Sequence, residues 1–305
     1  MYFYRLKLHN AFLMRNLSFV ICLLLISCAE TPKKKELTEA YKTEIATYRK
    51  ELNTYRKAGY VQLSGLFKLN DSILFFGMDS SKQVTVNPNR IATALGTYQY
   101  QDSSLVFLPS KDTEIKTDTV ALSGPTPMQF GQYGSSQMLH YNNLRWQIIT
   151  RNHHYYLRVW DRLNPAIEAF KGFKCYDLNP DFIYDAQFTY YDEVKSNDVK
   201  SELGMLTSTE FIGYVSFTYD GKPYRLDVGE EGFTMVGDET SGDATYGGGR
   251  YMYLDLPKAN GPVVLDFNKL YNPPCSYSKY TTCLYPPHQN YLPFKVTAGE
   301  TITRL

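Results

Sequence analysis

The sequence predicts an all-β protein led by one amphipathic helix, and three observations carry that expectation. Apolar and aromatic residues fall in short runs separated by polar turn residues, the pattern of short strands. Tyrosine and phenylalanine are abundant, at 27 and 17 residues, and both suit a pleated, half-buried surface. No alternation of strand runs with long helical periods occurs, which argues against a parallel sheet built from βαβ units.

The helix comes first. Residues 36–58 set Leu37, Tyr41, Ile45, Tyr48, Leu52 and Tyr55 at steps of four and three, a single apolar stripe. Lys and Glu fill the other faces, and Gly59 suits the stop. The stripe lasts only about three heptads, so it is expected to dock on the following domain and not to form a coiled coil.

From Tyr60 to Leu163 short strands follow: Val61-Gln62-Leu63, Leu66–Leu69, Ile73–Phe76, Val84–Val86, Gly96–Tyr100, Leu105–Leu108, Trp146–Thr150 and Tyr155–Trp160. Asn70-Asp71 marks a turn among them. Strands this short predict an N-terminal β-sandwich over residues 60–163. Asn164-Pro165 reads as the break before a second β-rich domain, residues 164–305. There Phe211–Tyr219, Tyr224–Val228, Phe233–Val236, Tyr251–Leu256, Val263–Phe267 and Leu292–Val296 are the expected strands. Asp220-Gly221 joins the first two as a tight hairpin turn.

The start of the chain reads as an export signal occupying residues 1–28. Arg15 is the positive n-region and Leu17–Ile26 a short apolar run, too short to span a membrane as a helix. Leu25-Ile26-Ser27-Cys28 matches a bacterial lipobox, in which the cysteine is lipidated and then exposed by cleavage. Met14 is the natural start for such a signal. Residues 29–59 then comprise a tether and the helix. The expected address is the cell envelope, lipid-anchored through Cys28, on the periplasmic or outer-membrane face.

Charge narrows the partners. Without Arg5, Lys7 and Arg15 of the export segment, 29 basic residues stand against 31 acidic ones. A near-neutral chain has no electrostatic footprint for nucleic acid.

Candidate sites are few. Asp238, Glu239 and Asp243 concentrate three carboxylates before the Gly247–Gly249 run and Arg250, with Asp266 and Asn268 beyond them. Clustered carboxylates suit calcium or acid/base work. The loop lacks the alternating acids of a calcium hand, however, and no helix follows the glycines to make a phosphate cradle. Cys275 and Cys283 bracket a Pro- and Tyr-rich loop, and an oxidising compartment makes a disulfide the expected state. The alternative recruits His288 to a metal, though Cys-x₇-Cys-x₄-His is not a zinc spacing. Arg145, Arg151, His153, His154, Arg158 and Arg162 crowd one hairpin; an anion-binding face is one reading, and a solvated face is the expected one because alternation puts many of them on the outer side of strands. No nucleophile elbow or phosphate loop is present, and no cofactor or metal is expected.

Two resemblances complete the reading. Thr245–Tyr251, Leu265–Asn268, Tyr271–Cys275, Thr282-Cys283, Pro286-Pro287, Leu292-Pro293 and Ala298–Glu300 resemble the bacterial family named domain of unknown function 1684. Gly65–Phe67 and Phe76–Asp79 fit it too, extending the likeness over roughly residues 40 to 303. That resemblance implies exported, lipid-anchored or periplasmic proteins and transfers no functional residue. Leu69–Pro88 is similar to the first strands of a forkhead-associated sandwich, a phosphothreonine reader. Here Met78 stands where that family has an arginine after its glycine, and no Ser-x-x-His follows. The expected function is therefore a non-catalytic module binding a glycan or an envelope protein. The alternative is a hydrolase using the carboxylates of the 237–250 loop.

Overall fold

The computed structural model describes residues 36–69, 73–77, 94–101 and 104–305. The Cys28 lipobox, the Asn70-Asp71 turn, the Val84–Val86 strand and most of the forkhead-like stretch lie outside those residues.

Helix α1 spans Glu39–Ala58. Thr38 caps it by accepting the Tyr41 amide at 3.2 Å, and the Gly59 amide closes it on the Tyr55 carbonyl at 2.9 Å. Ile45 is fully buried beneath it. Tyr41 donates to Asp266 Oδ2 at 2.8 Å and Tyr48 to the Lys269 carbonyl at 3.0 Å, so the stripe lies on the C-terminal region.

The first strands are β1 (Leu63–Lys68), β2 (Ile73–Gly77), β3 (Ala94–Gln101), β4 (Ser104–Pro109), β5 (Thr126–Pro127), β6 (Leu139–Tyr141), β7 (Leu144–Arg151) and β8 (His154–Asp161). They pair antiparallel as two four-stranded sheets, β1-β8-β7-β6 and β2-β3-β4-β5. One apolar cluster joins the sheets, with Leu95, Tyr98 and Phe107 against Trp146, Leu157 and Val159. Trp146 Nε1 donates to the Tyr98 hydroxyl at 3.0 Å, so this core leaves neither polar atom stranded. Along β8, Leu157 and Val159 enter the core while Tyr156, Arg158 and Trp160 occupy the opposite face. All five are buried. That face is covered, which the expected polar alternation does not describe.

The remaining elements are α2 (Ala166–Ala169), β9 (Phe173–Cys175), β10 (Ile183–Lys200), β11 (Leu206–Tyr219), β12 (Lys222–Val228), β13 (Phe233–Asp238), β14 (Arg250–Tyr253), β15 (Gly261–Asp266), β16 (Tyr291–Leu292) and β17 (Glu300–Arg304). They form the sheets β12-β11-β10-β15, β14-β13-β16 and β17-β9. A second core gathers Phe188, Val215, Leu226, Val236, Leu265 and Phe267. The β11–β12 hairpin turns at Asp220 and Gly221, both at positive φ (48° and 71°), as a type I′ turn requires.

Three strand expectations shift. Val61-Gln62 belongs to a 3₁₀ turn over Tyr60–Gln62, and the Leu292–Val296 run is a strand only at Tyr291–Leu292. Strand β10, 18 residues long, is absent from the expected set. Its middle, Asp192–Ser196, is exposed and mostly polar and spans a bulge, and pairing with β11 on either side of that bulge supplies what its own pattern does not. No helix among the described residues is long and apolar enough to cross a membrane.

Candidate functional site

The six expected ligand residues do not converge. Asp238, at the end of β13, and Arg250, opening β14, are buried and joined by an ion pair at 2.9 Å. Arg250 also donates to the carbonyls of Val296, Ala298 and Glu300, while Asp238 accepts the amides of Thr240 at 2.7 Å and Val296 at 3.2 Å. Burial lowers the Arg250 pKa below the usual guanidinium value, and Asp238 opposes that shift. Both groups tie β13, β14 and the 296–300 segment together, and although the Arg250 Nε is left without a partner, the side chain is fully buried and presents no face to a substrate. Glu239 and Asp243 are exposed at the same loop.

Asp266 and Asn268 form a separate knot. Asp266 Oδ1 accepts both the Asn268 amide and its side-chain nitrogen, at 2.9 and 3.0 Å, and Asn268 bonds the backbone of Asn179 in both directions. Asp266 also reaches an open groove of about 790 Å³ beside Tyr41, Asp185 and Asp255. The glycine run serves packing. Gly249 has φ +77°, and a Cβ there would meet Pro286 Cγ at 2.4 Å and the Val236 carbonyl at 2.8 Å.

Cys275 and Cys283 are bonded to each other, with Cα atoms 6.0 Å apart, inside the range a disulfide spans. No group of three or more metal-ligating side chains occurs among the described residues. Cys175 is a free, half-buried thiol whose pKa burial raises.

The disulfide loop walls a cavity of about 340 Å³ that local patterns do not reveal. Helix α1 contributes Tyr48 and Tyr55, the turn after it Tyr60, strand β14 Tyr251 and Tyr253, and the segment after β15 Tyr271 and Tyr277. Tyr55 and Tyr253 stand at the mouth, 61% and 55% exposed. Burial pushes the phenols of Tyr48, Tyr251, Tyr271 and Tyr277 far above their ordinary value, and that of Tyr55 up to about 12. At neutral pH these hydroxyls stay protonated and serve as hydrogen-bond partners, unsuited to act as bases.

One end of the cavity is braced by Arg56, 1% exposed, in the last turn of α1. Its guanidinium grips Glu300 with two arms, at 2.7 and 2.8 Å, and lies 5.3 to 5.9 Å from the ring centres of Phe173, Tyr277 and Tyr271. Burial works against that charge, yet the pair with Glu300 outweighs it and the Arg56 pKa rises. The one sequence signal for this residue is its place four positions after Leu52, where the apolar stripe would continue.

Fold and site thus define a β-rich protein with an aromatic cavity of small-ligand size beside helix α1. Residues 168–301 match the family model described as a protein of unknown function, DUF1684. An uncharacterized protein of Haloarcula marismortui, solved in solution by NMR, is 31% identical over 45% of this chain and 80% of its own, with a TM-score of 0.38. No curated protein matches.

Proposed function

We propose that this chain is a non-catalytic binding module of the bacterial cell envelope, held there by lipid on Cys28, and that its tyrosine cavity seats a ring-shaped ligand such as a saccharide unit. The convergence of seven tyrosines on one cavity carries the reading. Tyrosine offers a flat face for the C–H side of a sugar ring and a hydroxyl for its oxygens. The volume, about 340 Å³, lies at the small end of ligand pockets. The hydrolase alternative is weaker because Asp238 is neutralised by Arg250 and Asp266 is tied into the Asn268 knot. In the same reading the two N-terminal sheets sharing one core are a sandwich of the forkhead-associated kind, without its phosphopeptide site.

Titration of the detergent-solubilised full chain with envelope mono- and disaccharides, followed by saturation-transfer NMR, tests the cavity. Tyr55→Ala and Tyr253→Ala lie at the mouth, so the fold should survive, and each should weaken binding about tenfold. Binding that ignores both variants would refute the assignment. For the anchor, Cys28→Ala should abolish incorporation of labelled fatty acid, since that sulfur is the acylated atom. Continued labelling would exclude Cys28 as the site.

A further inference from the structure

Beside the tyrosine cavity lies a smaller recess of about 190 Å³, and the two share Tyr60, Tyr251 and Pro274. Arg151, at the end of β7, and Arg158, on the covered face of β8, both line the recess, and no carboxylate does. Arg158 is 8% exposed and its Nε is buried without a partner. Its guanidinium makes no hydrogen bond or ion pair among the described residues. Arg151 donates from Nε to Thr282 Oγ1 at 3.2 Å and from Nη1 to the Thr150 carbonyl at 2.7 Å, and neither acceptor is charged.

This arrangement is unusual on physical grounds. Buried arginines are ordinarily paired with a carboxylate, because an isolated charge loses its hydration and gains nothing in return. Among the described residues, the other two deeply buried arginines obey that rule, Arg56 with Glu300 and Arg250 with Asp238. Arg158 departs from it beside a second cation, and burial together with Arg151 pushes its pKa down to about 10. The missing counter-charge has an obvious source in the space the two side chains face. Guanidinium groups match the planar, two-oxygen edge of carboxylate and phosphate.

We propose that the Arg151–Arg158 recess binds an oxyanion, a carboxylate or phosphate, and that the ring in the adjoining tyrosine cavity belongs to the same molecule, an acidic saccharide. The second half rests on the cavity assignment above; the first does not. Cys283 and Thr282 line the recess too, so the disulfide loop holds one of its walls.

The test uses the full chain in detergent with four probes: inorganic phosphate, glucose, glucuronate and glucose 6-phosphate, each measured by calorimetric titration and by shift in melting temperature. Glucuronate or glucose 6-phosphate should bind at least about tenfold tighter than glucose. Arg158→Met should erase that preference, and its ligand-free melting temperature should rise because an unpaired buried charge has gone. Arg151→Gln, at the edge of the recess, serves as the second variant and should weaken the acidic probes in the same direction. If phosphate protects the wild type but not Arg158→Met while no saccharide binds, the oxyanion site stands and the saccharide reading fails. If glucose binds as tightly as glucuronate, or Arg158→Met keeps the preference for acidic probes, the oxyanion site is overturned.

Discussion

Arg56→Ala is expected to remove roughly 3–5 kcal/mol of folding stability, the usual consequence of breaking one side of a buried ion pair. Glu300 would lose both guanidinium arms and retain only the Asn272 amide, at 2.7 Å, as a donor. The three rings packed around the guanidinium would face a void. Since Arg56 sits in the last turn of α1, the end of the helix should loosen first, and hydrogen exchange across Leu52–Ala58 should accelerate before global unfolding. Replacing Arg56 and Glu300 together by apolar residues should cost less than either single change, because no stranded charge remains. An unfolding free energy lowered by less than about 1 kcal/mol in Arg56→Ala would show the pair to be dispensable.

The second large effect is expected from Asp238→Ala, again roughly 3–5 kcal/mol. Arg250 would then hold its charge at zero exposure with only the carbonyls of Val296, Ala298 and Glu300 as acceptors. Two backbone amides, those of Thr240 and Val296, would also lose their acceptor. This outcome separates a structural Asp238 from one that handles a ligand. A ligand carboxylate could be removed with little change in stability and complete loss of binding. Here the expectation is reversed, with the folded fraction falling and any remaining folded protein binding its ligand normally. Chemical denaturation beside a binding titration on the same sample distinguishes the two, and an Asp238→Ala protein as stable as wild type would reject the structural role.

Both residues show where local reading of the chain stops. Arg56 stands among Lys and Glu on a helix, so its local surroundings describe a wet face. Only the position i+4 from Leu52 hints otherwise, and it cannot name Glu300, which lies 244 residues away. Asp238 and Arg250 stand in a glycine-rich loop with two more acids, a composition that reads as solvated or ligand-binding. The structure gives Asp238 an enclosed position because three separate segments close over it. Arg158 follows the same logic on a strand. Alternation correctly separates it from Leu157 and Val159, yet both faces of β8 turn out to be buried.

The tyrosine cavity was the least legible feature. Its members come from positions 48 to 60 and 251 to 277, and no segment holds enough of them to look like a site. By contrast, short-range chemistry was sufficient for other elements. The apolar stripe with Gly59 behind it marked α1, Asp220-Gly221 marked the hairpin, and the short aromatic runs marked most strands, because each depends on residues within a few positions of one another. The sequence alone determined the β-rich class, the leading helix and the apolar side of most elements. Tertiary structure decided what lies against the remaining sides. A polar side chain has the same local pattern whether water or another strand covers it, and only long-range packing makes that choice. The same packing left Arg56 and Arg250 paired, and Arg158 without a partner.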